Sequence, residues 1–112
     1  MITQHNTKTL VAHRLEQLAN LYRQDYASDI MVRTVDKFLL YEAETCQQQL
    51  RQLDTDLAEY EQRYGMTSAD FYEQFCKGDT DDRMDYVEWA SLFQMAQRLE
   101  KQVALLTGAE DA

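Results

Sequence analysis

The sequence predicts an all-α fold: an elongated antiparallel three-helix bundle with one very long central helix and a short fourth helix at an elbow. Three observations lead there. The first 64 of 112 residues contain no glycine and the chain contains no proline. No stretch alternates apolar and polar residues with a period of two, which argues against strands. From Leu39 onward an apolar stripe (Ala43, Cys46, Leu50, Leu53, Leu57, Tyr60, Tyr64) advances in alternating steps of four and three, the spacing of one helix face.

The first helix is expected over about residues 7–27. Asn6 or Thr7 can cap it, and Val11, Leu15, Leu18 and Tyr22 form its inward stripe, widened by Leu10 and Leu21. Ser28 or a neighbour breaks the chain, and Asp29 suits the positive end of a second helix over 29–64. Early in that helix Ile30, Met31, Val32, Val35, Phe38, Leu39, Leu40 and Tyr41 point in nearly all directions, which predicts burial on more than one side.

Gly65 stops the long helix by supplying the left-handed residue that follows a last turn. Thr67 then caps a short helix over 68–77, with Asp70 as the acidic half of a capping box and Met66 and Phe71 as a hydrophobic staple. Phe71 and Phe75 are its buried face, and Gly78 ends it. Asp81 or Asp82 caps the fourth helix, over 82–106, whose stripe is Trp89, Leu92, Ala96, Leu99, Val103 and Leu106; the tail beyond Gly108 is expected to fray. Short connections favour antiparallel neighbours, so residues 1–112 read as a single helical domain.

Charge bounds the function. The net charge of −9 divides unevenly, with five Lys/Arg against four Asp/Glu in residues 1–37 and six against sixteen in residues 38–112. Such a field repels phosphate backbones and attracts basic partners, so no direct contact with nucleic acid is expected. No apolar run approaches the roughly 20 residues of a membrane span. The N-terminal residues lack a signal-peptide apolar region, which predicts a cytoplasmic protein without membrane contact. Cys46 and Cys76 are expected as free thiols in that compartment.

No recognisable catalytic or cofactor chemistry emerges, so no enzyme activity, cofactor or metal is expected. The run Asp79-Thr-Asp81-Asp82-Arg-Met-Asp85 invites comparison with a calcium loop, but Met84 and Ala90 stand where an EF-hand needs glycine and glutamate. His5 and His13 are the only histidines, and no second inward pair accompanies His13 and Glu16 as a dimetal bundle site requires. One polar group is unusual. Asp85 shares a helix face with Trp89 and Leu92, with Glu88 nearby, and a buried carboxylate needs a partner. That partner is an internal group such as Arg51 or Arg63, free N–H groups in the elbow, or a basic residue of another protein docking beside Trp89 and Tyr86.

The segments Tyr64-Gly-Met-Thr-Ser-Ala-Asp-Phe-Tyr-Glu-Gln-Phe75 and Gly78-Asp-Thr-Asp-Asp-Arg-Met-Asp-Tyr-Val-Glu-Trp89 carry a further signal. This pattern resembles a group of small helical bacterial and cyanobacterial proteins associated with the antitoxin-like halves of toxin–antitoxin gene pairs. The likeness covers about residues 60–95, and Asp81 stands where the usual pattern has a second glycine. The resemblance implies a non-catalytic chain that binds and neutralises a small basic toxin. The partner-binding residues expected on that reading are Asp82, Asp85, Tyr86, Glu88 and Trp89 near the elbow, with Phe38 and Tyr41 on the long helix. The competing expectation is a structural or adaptor bundle that associates with a copy of itself, its heptad stripes meeting in a homodimer.

Overall fold

The structure, a computed structural model, describes residues 4–109 and their side chains from residue 7. The described residues form four helices: α1 (Gln4–Arg23), α2 (Asp29–Tyr64), α3 (Ser68–Cys76) and α4 (Met84–Thr107). Among the described residues there is no strand, and no helix is long and apolar enough to cross a membrane. The chain divides into two compact units, Met1–Lys37 and Phe38–Ala112, with the division inside α2. The side chain of His5 and the tail residues 110–112 lie outside the described residues.

In the first unit, α1 departs from expectation at both ends. Asn6 and Thr7 lie inside the helix rather than capping it, and the helix stops at Arg23 instead of continuing to 27. The stop is a left-handed closure built without glycine. Asp25 adopts φ 63°, its N–H donates to the Tyr22 carbonyl at 3.1 Å, and the Tyr26 N–H donates to the Leu21 carbonyl at 2.8 Å. This pair of bonds is the Schellman arrangement, and a short polar Asp tolerates the left-handed position better than most side chains. Ser28 then caps α2, its Oγ accepting the Met31 N–H at 3.3 Å, and α2 runs over the expected residues 29–64.

The apolar side chains of this unit are not enclosed as the sequence suggested. No described residue from Thr7 to Lys37 is buried. Leu18, Ala19, Tyr22, Ala27, Met31 and Val35 are half-buried, whereas Val11, Leu15 and Ile30 are 48%, 57% and 67% exposed. The expected burial of early α2 on more than one side is therefore corrected. An apolar stripe predicts which face is sticky, and only a neighbour of sufficient size can cover it.

The second unit has a core. Leu53 and Leu57 of α2, Phe71 of α3, and Trp89, Ala90 and Ala96 of α4 form one buried cluster, with Leu50, Met66, Phe75, Leu92, Phe93 and Leu99 packed around it. Ala43 and Cys46 of the α2 stripe are buried as well, while Leu39 remains open to solvent. Both cysteines are free thiols, Cys46 buried and Cys76 exposed. Gly78 ends α3 with φ 76° and the same two-bond closure, here through N–H groups of Gly78 and Asp79 to the carbonyls of Phe75 and Gln74.

Candidate functional site

The turn between α2 and α4 is assembled from the inside out. Thr67 Oγ accepts the Asp70 N–H at 3.1 Å, which forms one leg of the expected capping box and contributes about 1 kcal/mol. The carboxylate at this helix start comes from elsewhere: Glu61 Oε2 of α2 accepts the Ser68 N–H at 2.7 Å. An acidic group so placed also complements the helix dipole.

Ser68 is itself buried, and its Oγ accepts the Trp89 Nε1–H at 2.9 Å. The indole has no exposed surface. It stacks on Phe71 with 3.8 Å between ring centroids, and Tyr60 and Tyr64 lie nearly parallel to it at 5.7 Å each. Trp89 is therefore withdrawn from the expected partner-binding set. Its N–H is satisfied and its faces are occupied, so it is the centre of the core.

Asp85 is also engaged within the fold. Tyr64 Oη donates to its Oδ2 at 2.5 Å and Arg63 Nη1 donates to the same oxygen at 3.0 Å. The Tyr64 hydroxyl, then the Arg63 guanidinium, holds this carboxyl below the usual carboxylate range. Of the alternatives open in the sequence, Arg63 is an internal partner and Tyr64 is one that helix spacing did not suggest. The pair remains partly solvent-exposed, so its Coulomb energy is screened.

The acidic turn closes on itself at Asp81. Arg83 donates through Nε and Nη2 to the two carboxylate oxygens at 2.9 and 2.7 Å, and its backbone N–H adds a third bond at 3.1 Å. This fork lowers the Asp81 pKa to about 2. The expected cap of α4 by Asp81 or Asp82 is corrected, because α4 begins at Met84 and Arg83 occupies the cap position without a side-chain cap bond. Asp81 spends its lone pairs on Arg83 instead. The Arg83 guanidinium lies 4.6 Å from the centre of the Tyr86 ring, covering part of it.

The remaining expected residues divide by exposure. Asp82 and Glu88 are exposed, and neither forms an ion pair among the described residues. The Tyr60 hydroxyl pKa is pushed up to about 12, first by burial and then by the negative charge of the Glu88 carboxylate. Tyr86 is half-buried between Arg83, Tyr64 and Phe71. Phe38 and Tyr41 are 59% and 66% exposed.

Glu88 borders a shallow depression of about 220 Å³ with Asp56, Glu59, Tyr60, Arg63 and Leu92, and grooves lined by other residues lie in both units. A groove of about 460 Å³ in the second unit is lined by Leu53, Leu99 and Met95, with Gln49, Gln52, Gln102 and Arg98 at its rim. In the first unit, Leu18 of α1 and Ile30, Met31, Thr34 and Val35 of α2 line an apolar groove of about 230 Å³. Among the described residues no group of three or more His, Cys, Asp or Glu side chains could hold a metal ion.

Sequence reasoning missed the Glu61–Ser68–Trp89 chain of hydrogen bonds. Seven and twenty-one residues separate its members, and no helical periodicity links positions on three different helices. In comparisons with protein-family models, with curated proteins and with solved structures, nothing matches this chain.

Proposed function

We propose that this protein is a non-catalytic interaction module whose acidic unit binds a small basic protein, in the manner of an antitoxin holding its toxin. The observation that carries the reading is the charge of residues 38–112. Sixteen acidic side chains face six basic ones there. Three of those six are already held, Arg63 by Asp85, Lys77 by Glu73 and Arg83 by Asp81. The net field is left to the remaining carboxylates, Asp82 and Glu88 among them. A field of this kind raises the association rate of a basic partner and discriminates against acidic ones.

The contact set on this reading is Asp82 in the turn before α4 and Glu88 on α4, with the accessible part of Tyr86. Asp85 acts behind them, orienting Arg63 and Tyr64 rather than meeting the partner. The three-helix arrangement belongs to the same proposal: α1 lies along the start of α2 within the first unit, and α4 along its later part within the second. The groove shared by Leu18 and Met31 supports the former, and the core shared by Leu57 and Trp89 supports the latter.

Affinity capture from the host lysate followed by native mass spectrometry tests the proposal. The expected result is a stoichiometric complex with a small basic protein, weakened at least tenfold by Asp82→Lys with Glu88→Lys and by raised salt. Unchanged capture by that double variant, with its helical circular dichroism intact, would overturn the assignment.

A further inference from the structure

Three depressions of the second unit are successive stretches of one groove. Along α2, Glu42, Cys46, Gln49, Leu53, Asp56 and Tyr60 line it in alternating steps of four and three. Along α4, Glu88, Leu92, Met95, Leu99, Gln102 and Leu106 line it with the same spacing in the reverse order. Positions so spaced share one helix face, so each helix contributes an unbroken wall. The stretches, of about 220, 460 and 320 Å³, follow one another from the elbow toward the end of α4, and the last two share Gln102. From Glu88 to Leu106 the groove is about 27 Å long at 1.5 Å per residue.

Its chemistry changes along that length. Asp56, Glu59 and Glu88 stand at the elbow end, and none forms an ion pair among the described residues. Arg63 lines the same stretch, but its charge is already matched by Asp85. The middle is apolar at Leu53, Met95 and Leu99, and its rim of glutamines and Arg98 carries no carboxylate. Leu105 and Leu106 extend the apolar lining to the far end, where Glu42 is the single carboxylate. Met95 and Leu105 remain 49% and 61% exposed.

Both walls are helices whose backbone groups bond within themselves, so an extended segment finds no edge to pair with. A third helix fits instead. Apolar residues at i, i+3 or i+4 and i+7 fill the middle, and cations belong at the end that meets the three free carboxylates. We infer that the groove between α2 and α4 receives an amphipathic helix of the basic partner, about five turns long, with its Lys and Arg side chains gathered at the elbow end. The inference rests on the basic-partner reading and adds the shape of the bound segment and the place of its charges.

Two fluorescent helical peptides of about 18 residues test this, identical in their leucine stripe and carrying either lysines or glutamates in one terminal turn. The lysine peptide should bind the full chain at least roughly tenfold more tightly than the glutamate peptide. Glu59→Lys with Glu88→Lys should reverse that order. Glu44→Lys with Asp54→Lys makes the same change in net charge at exposed α2 positions outside the groove, and should preserve it. Met95→Gln with Leu105→Gln, at exposed positions outside the core, should weaken the lysine peptide about tenfold with helical circular dichroism retained. Spectra of the unaltered protein with labelled methionine methyls give a reading free of any folding defect: the Met95 signal should shift on titration and the Met31 signal should not. A stationary Met95 signal overturns the inference, as does an order of affinities that survives the Glu59 and Glu88 reversal. Self-association that the Met95 and Leu105 variant abolishes would give the groove to a second copy and overturn it too. A captured basic protein that depends on Asp82 and Glu88 but not on Met95 and Leu105 would keep the basic-partner reading and remove this one. Peptide binding as expected, with no basic protein captured, would remove that reading and leave the groove's preference standing.

Discussion

The ring of Phe71 lies 3.8 Å from that of Trp89, with only 4° between their planes, and both side chains are fully buried. Phe71 comes from the nine-residue α3 and Trp89 from α4, so this stack joins the short helix to the long ones. A helix of that length is marginal by itself in water, and its persistence depends on such packing.

Removing the indole should therefore cost more than any other single truncation in the second unit. Trp89→Ala is expected to lower stability by about 3–5 kcal/mol, the range for large aromatic truncations in a core. Ser68→Ala keeps the stack but strands the indole N–H, with an expected loss of about 1–3 kcal/mol. Urea unfolding followed by circular dichroism measures both, and a Ser68→Ala protein as stable as the parent would show that the hydrogen bond contributes nothing.

Acid should act through Asp85 and Asp81. Both carboxyls have folded pKa values depressed below 3.8, Asp81 to about 2, so their contribution is present above that unfolded value and is lost as pH falls through the folded ones. The expected window is from about pH 4 down to about pH 2. Asp81→Asn with Asp85→Asn should flatten the fall in melting temperature across it. An unaltered slope would place the acid-sensitive groups elsewhere.

Alkali should act through Tyr60. Its folded pKa of about 12 lies above the ordinary value of 10.0, so the neutral phenol stabilises the fold below pH 10 and that contribution disappears as pH rises toward 12. Ultraviolet titration of the tyrosines should show a late-ionising fraction that Tyr60→Phe reduces but does not abolish, because Tyr64, donating to Asp85, is also raised. A late fraction undiminished in that variant would mean that Tyr60 does not contribute to it.

The α1 closure offers a stabilising change. Asp25 has a positive φ of 63°, a conformation glycine adopts without the cost imposed by a Cβ. Asp25→Gly should raise stability by up to about 1 kcal/mol, whereas Asp25→Val should lower it. Thermal melts of the two variants, read against the parent, decide the point. Equal melting temperatures for both would mean that this turn has no hold on the stability of the fold.

Tyr22 gives a second test within the same unit. Its hydroxyl is buried and has no hydrogen-bond partner among the described residues. Replacing it by the shape-matched phenylalanine removes the desolvation penalty and should stabilise the protein by about 1 kcal/mol. A lower melting temperature for Tyr22→Phe would reveal that the hydroxyl is bonded in solution.

Local signals were legible wherever a short stretch of chain decided the outcome. The α2 limits, the Thr67 cap and most of the α2 and α4 stripes follow from helix periodicity and from turn-forming residues within a few positions of each other. The same reasoning failed at Arg23, because Asp25 closes α1 where a glycine would normally announce the end. It failed again at α4, where Asp81 turned to Arg83 and left the cap position to the arginine.

The sequence by itself determined that this chain is helical, where its helices run to within a few residues, and that its acidic charge lies in residues 38–112. Only the tertiary structure decided which apolar and acidic residues are available. Trp89 became core, Asp85 was tied to Tyr64 and Arg63, and Leu15 and Ile30 stayed open to water. The reason is that periodicity describes one helix at a time, while burial and charge pairing depend on how much neighbouring surface reaches each face. The second unit has enough facing helix to close around Trp89, and the first does not enclose a single described side chain.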